Sequence, residues 1–102
     1  MSQNILSIDQ GTTSTRVMIF NSEGKILSKV SKNLRQIYPR SGWVEQDPNE
    51  LINSVISLSK EALRISKLGI EEITSMGIAN QRETTIIWYK NSGKPVYNAI
   101  VW

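Results

Sequence analysis

The sequence predicts an α/β fold: a mixed sheet that opens with a three-strand meander, followed by one crossover helix and then further strands. Three observations predict it. Three short segments rich in β-branched residues are separated by turn chemistry, a 3.6-period apolar segment follows with a strong helix-start signal, and a nearly uncharged apolar run comes directly after that. A helix between strands returns the chain so that the next strand lies parallel to the first.

Asn4 to Gln10 (NILSIDQ) and Thr15 to Asn21 (TRVMIFN) read as two strands, and Gly11-Thr12-Thr13-Ser14 between them supplies the chemistry of a tight connection. The pair is expected to be a hairpin. Ser22-Glu23-Gly24-Lys25 makes a second turn, and Ile26 to Leu34 continues as a more polar third strand. Residues 35–47 contain Pro39 and Gly42 and show no period, so they read as a connecting loop pinned by Tyr38 and Trp43.

Helix-start chemistry follows. Asp47 is suited to cap the first turn, Pro48 to the first helical position, and Glu50 lies three residues past the cap. Leu51, Val55, Leu58, Ala62 and Ile65, flanked by Ile52, Ile56 and Leu63, form one apolar stripe that needs a sheet to cover. Gly69 is the expected stop. Ile73 to Asn80 (ITSMGIAN) reads as a central strand buried on both faces. Thr84 to Tyr89 reads as a further strand, turned by Lys90-Asn91-Ser92-Gly93, with Pro95 to Trp102 pairing back against it.

The balance of 12 Lys and Arg against 9 Asp and Glu gives a net charge of +3, with the basic residues scattered. A solvated strand face accounts for Lys25, Lys29, Lys32, Arg35 and Arg40, so no nucleic-acid partner is expected. There is no Cys and no His, which excludes disulfides, thiol nucleophiles, imidazole bases and the usual zinc ligands. Chemistry must run on carboxylates, hydroxyls, Arg and Lys. Met1-Ser2-Gln3-Asn4 lacks a basic leader, and no apolar run approaches a membrane span, so a cytoplasmic location without a membrane partner is expected.

Two strings carry candidate chemistry. In Asp9-Gln10-Gly11-Thr12-Thr13-Ser14-Thr15-Arg16 the glycine permits close backbone approach, N–H groups and hydroxyls suit phosphate oxygens, and Arg16 adds charge. Asp9 suits a hydrated Mg²⁺. On residue chemistry alone, a plain hairpin turn and a phosphate clamp both account for the string, and no Walker A pattern is present. In Asn80-Gln81-Arg82-Glu83-Thr84-Thr85, at the end of a predicted strand, Arg82 donates and Glu83 accepts, which suits a polyol; a solvated surface pair also explains them.

The string DQGTTSTR resembles the first phosphate motif of the FGGY carbohydrate kinases, and NQRETT with GKPVYNAIVW is similar to the branch of that family that acts on glycerol. The likeness runs from about Leu6 to Trp102. It implies an actin-like, ribonuclease H-like ATPase fold, of which residues 1–102 would be a truncated N-terminal domain, with the C-terminal domain and the aspartate general base absent from this sequence. It implies ATP and Mg²⁺ as cofactors: nucleotide phosphates on Thr12, Thr13, Ser14 and Arg16, and the metal near Asp9. It implies glycerol as substrate, its hydroxyls on Arg82 and Glu83 and its carbon chain against Trp102, for which a core-edge aromatic is the equal alternative. A chain so short is expected to be inactive alone, to remain as a polyol- or nucleotide-binding remnant, or to be completed by a complementing chain, with self-association favoured by exposed apolar surface. Gly42-Trp43-Val44-Glu45-Gln46-Asp47-Pro48 also resembles the family but receives only structural work, since Asp47 caps a helix and nothing in the sequence pairs with Glu45.

Overall fold

A computed structural model describes residues 3–102; Met1 and Ser2, on which the reading of the leader partly rests, lie outside it. Three antiparallel-connected strands come first, β1 (Asn4–Gln10), β2 (Ser14–Phe20) and β3 (Ile26–Asn33). After a loop come a two-residue strand β4 (Glu45–Gln46) and the helix α1 (Pro48–Ser66). A single 3-10 turn over Ile70–Glu72 leads into β5 (Ile73–Ala79), and β6 (Ala99–Ile100) follows. The main sheet has the order β3-β2-β1-β5, with β1 antiparallel to β2 and parallel to β5, while β4 and β6 form a separate antiparallel pair. The mixed α/β sheet with one crossover helix is as the sequence predicts.

Alternation builds the core. Leu6, Ile8, Val17 and Ile19 point to one face of the sheet and pack with Leu58 and Ala62 of α1, all buried. Each such aliphatic side chain contributes roughly 1.5–3 kcal/mol on leaving water. A second small cluster joins Leu34, Leu51 and Ala99, which fastens the start of α1 to β6. At the opposite end of the sheet, the buried Asn4 amide donates to the Glu72 carbonyl at 3.0 Å, tying the entry of β1 to the entry of β5.

The helix starts where its residues dictate, with the Asp47 side chain accepting from the Asn49 N–H at 2.9 Å and Pro48 opening the first turn. Glu50 does not reach back to the cap; it turns to Arg35, which donates to it from Nε and Nη2 at 3.0 and 2.8 Å. That hydrogen bond holds the Glu50 carboxyl below its ordinary range. The stop comes two residues before Gly69, at Lys67, which adopts a left-handed φ of 61° while its N–H returns to the last turn. The buried stripe of α1 is Leu51, Ser54, Leu58 and Ala62, so Ser54 replaces a more apolar neighbour, and Ile52, Ile56 and Ile65 stay exposed.

Three further expectations are corrected. The β5 strand lies at the edge of the sheet, not its centre, and Thr74 to Ala79 are exposed, because α1 covers β2 and β3 and nothing in the described residues covers β5. Tyr38 and Trp43 do not pin the 35–47 loop, being 68% and 48% exposed; Glu45 and Gln46, both buried, do. Residues 84–89 form no continuous strand, though isolated bridges Thr85 to Ile100 and Trp88 to Pro95 do fold Pro95–Trp102 back on them.

Candidate functional site

The connection between β1 and β2 closes with the Gly11 N–H donating to the Ser14 carbonyl at 3.0 Å. A Cβ on Gly11 would sit 3.1 Å from that carbonyl, so any larger residue would press the turn open by a few tenths of an ångström. The carbonyls of the turn point into the protein: Thr13 accepts from the Leu34 N–H at 2.8 Å, and Thr12 accepts from the side-chain amides of Gln36 and Gln46 at 3.1 and 2.6 Å. The N–H groups of Thr12 and Thr13 have no protein partner among the described residues. Carbonyls held inward and N–H groups left free are the polarity an anion needs.

The loop that carries Arg82 and Glu83 leaves β5 next door. Asp9 near the end of β1 registers with Ala79 at the end of β5, and because the two strands are parallel both loops emerge on the same edge. Between them lies a hollow of about 230 Å³ lined by Thr12, Arg82, Glu83, Thr84, Val101 and Trp102. Four of the predicted site residues, Thr12, Arg82, Glu83 and Trp102, therefore share one concavity. Thr13, Ser14, Asp9 and Arg16 do not line it; Asp9 and Arg16 stand opposite each other across β1 and β2, exposed on the sheet face turned away from α1.

Trp102 is held by its backbone. Val44 bonds it in both directions, its N–H donating to the Trp102 carbonyl at 3.1 Å and its carbonyl accepting from the Trp102 N–H at 3.3 Å, while the indole remains 64% exposed beside the hollow. The neighbouring Glu45 does have partners, contrary to expectation: Tyr97 Oη and Asn98 Nδ2 donate to its two oxygens at 2.9 and 3.1 Å. The hydrogen bond to that carboxylate pushes the Tyr97 phenol above its ordinary range. Across 52 residues no sequence signal announces this pairing.

Gln46 is a further residue that sequence reasoning misses. It is 1% exposed and accepts from Gln81 Nε2 at 3.0 Å, and Gln81 in turn accepts from the Thr84 hydroxyl at 2.6 Å. A larger hollow of about 490 Å³, between the end of β3 and α1, holds the Arg35–Glu50 ion pair and none of the predicted site residues. Among the described residues no three acidic groups converge as a metal cage. Asp9 offers one hard oxygen donor, which fits Mg²⁺ because that ion keeps several waters and takes phosphate oxygens for its other positions.

These two neighbouring loops open onto one concavity at the same end of an α/β sheet. Residues 4–102 match the N-terminal domain of the FGGY family of carbohydrate kinases, and the chain belongs to that family. It is 57% identical over 98 residues to "Glycerol kinase 2" of Thermotoga maritima, covering 96% of this chain and 20% of that protein. It is 52% identical over its whole length to the glycerol kinase of Clostridium botulinum strain Hall, again covering 20% of the relative. Among solved structures, the Plasmodium falciparum glycerol kinase with ADP superposes with a TM-score of 0.86 at 42% identity, over 98% of this chain and 20% of that one. The gluconate kinase of Lactobacillus acidophilus, also with a TM-score of 0.86 but 23% identical, shares the fold. The chain thus spans about a fifth of the length of the relatives it matches, and its sheet and helix are those of the glycerol kinase N-terminal actin-like domain. No helix among the described residues is long and apolar enough to cross a membrane.

Proposed function

We propose that this chain supplies the phosphate-binding turn and part of the polyol pocket of an ATP-dependent glycerol kinase acting in the cytoplasm. The observation that carries the reading is the hollow shared by Thr12, Arg82, Glu83 and Trp102, with the free N–H groups of Thr12 and Thr13 beside it. Arg82 donates to glycerol hydroxyls, Glu83 accepts from them, and the Trp102 ring covers the C–H side. Thr12, Thr13, Ser14 and Arg16 would serve the nucleotide phosphates, and Asp9 would hold Mg²⁺, which would supply neutralisation of phosphate charge when bound.

In the reaction a terminal hydroxyl oxygen of glycerol forms a bond to the γ-phosphorus as the bond from that phosphorus to the bridging β–γ oxygen breaks, leaving ADP. Catalysis is mainly positioning and charge neutralisation. The hydroxyl proton goes to a base outside residues 1–102 and water is excluded by closure of a second lobe, so residues 1–102 by themselves bind without turning over. The exposed edge strand β5, with Met76 and Ile78 at 60% and 65% exposure, is a surface that the remainder of such a kinase would cover.

Titrating glycerol into the isotopically labelled chain tests the reading by nuclear magnetic resonance. Arg82, Glu83 and the Trp102 indole should shift together, and Arg82→Ala should abolish the response. Mg²⁺ with ATP should move Thr12, Thr13 and Ser14. A glycerol response confined to other residues would sink the pocket assignment, and formation of glycerol 3-phosphate by the isolated chain would overturn the division of labour.

A further inference from the structure

We propose that Gln46 and Gln81 are positioning residues that lock the Arg82–Glu83 loop to the phosphate-binding turn, so that the two halves of the site hold a fixed separation. The lock is a directional chain of neutral amides. Gln46 Nε2 donates to the Thr12 carbonyl at 2.6 Å and to Gln36 Oε1 at 3.2 Å, and Gln36 Nε2 donates to the same Thr12 carbonyl. On its other side Gln46 Oε1 accepts from Gln81 Nε2, whose own oxygen accepts from the Thr84 hydroxyl. Both N–H groups of the Gln46 amide and its oxygen are used, and the side chain is buried, where each such bond is strengthened and each broken one is costly.

Two features show that the chain acts on position. Gln81 and Thr84 bracket Arg82 and Glu83, whose side chains are exposed and make no hydrogen bond among the described residues, so the bracket is what anchors the pair. No backbone–backbone hydrogen bond outside the regular elements involves residues 80–84; the nearest begins at Thr85. Only glutamine at position 46 meets both neighbours at this reach: a carboxylate there would face the Thr12 carbonyl oxygen without a donor, and an aliphatic side chain would leave that oxygen and Gln81 short of partners. An uncharged link also neither repels nor competes for the anion expected on the turn. Its value for phosphoryl transfer rests on the kinase reading above, whereas the lock itself does not.

The test therefore uses no ligand. Gln81→Met keeps the length of a half-buried side chain and removes its hydrogen bonds. In that variant the backbone order parameters of residues 81–84 should fall from the rigid range of about 0.85 to below about 0.6 as the loop loses its anchor. The Thr12 and Thr13 amide resonances should shift as well, and β1 to β3 should stay unchanged. Gln46→Glu should give the same pattern, deepening as pH rises through the carboxylate range. Unchanged order parameters at 81–84 in Gln81→Met, unmoved Thr12 and Thr13, or a loss spread evenly over the sheet would each overturn the proposal. Gln81→Met is decisive by itself, whether or not the Gln46→Glu chain folds.

Discussion

The first half of the molecule and its final stretch, residues 80–102, are held by different physics. The strands β1 to β3 form continuous ladders and bury one apolar face under α1. Residues 80–102 have a two-residue strand and a few isolated bridges, and their anchors are mostly polar: Tyr97 and Asn98 on Glu45, Gln81 on Gln46, and backbone bonds to Val44. Apolar burial is non-directional and sets the platform; hydrogen bonds are directional and set where the loops lie on it.

Breaking each kind of anchor separately tests that contrast. The largest effect is expected from Ile19→Ala, a fully buried side chain under the helix, which should lower global stability by about 2–5 kcal/mol in urea denaturation and weaken both regions together. Glu45→Ala should cost about 1–3 kcal/mol through unpaired partners. The loss should be local, with hydrogen exchange rising over residues 97–102 while β1 to β3 keep their protection; equal loss in both would erase the distinction. Removing the helix cap with Asp47→Ala should cost about 1 kcal/mol, seen as a lower midpoint of thermal unfolding.

Lys67→Gly works in the opposite direction. A non-glycine residue at φ 61° carries a steric penalty, so its relief should raise stability by about 0.5–1 kcal/mol in the same assay. The smallest effect is alkaline. Because Glu45 raises the Tyr97 pKa, their bond contributes below the ordinary phenol range and is lost as pH rises through the raised value. Exchange protection at residues 97–102 should fall there before the sheet responds, and Tyr97→Phe should remove that step.

Local chemistry makes much of this readable in the sequence. Alternation in NILSIDQ and TRVMIFN, the glycine of the first turn and the Asp47-Pro48 start each act within a few residues of themselves, and the structure places them as expected. The shared hollow is legible only in part: Thr12, Arg82, Glu83 and Trp102 come from family resemblance, not from spacing. What escapes is set by distant partners. The composition of ITSMGIA suits a strand buried on both faces, but its neighbours in space decide its exposure, and here only β1 borders it. Glu50 follows Arg35 instead of the helix cap because a guanidinium fork at hand outcompetes a single N–H. Glu45 and Gln46 read as loop residues because all but one of their side-chain partners lie 34 to 53 positions away.

The parallel register of β1 and β5 behaves as a vernier for the two loops that leave them. Sliding one strand by a single residue would carry the loop of Arg82 and Glu83 about 3.3 Å past the turn of Thr12, whereas on the proposed function transfer between two bound molecules would tolerate misplacement of only about 1 Å. The Asn4 amide, clamped on Glu72 at the far end of the same two strands, fixes the zero of that scale without coming near a substrate.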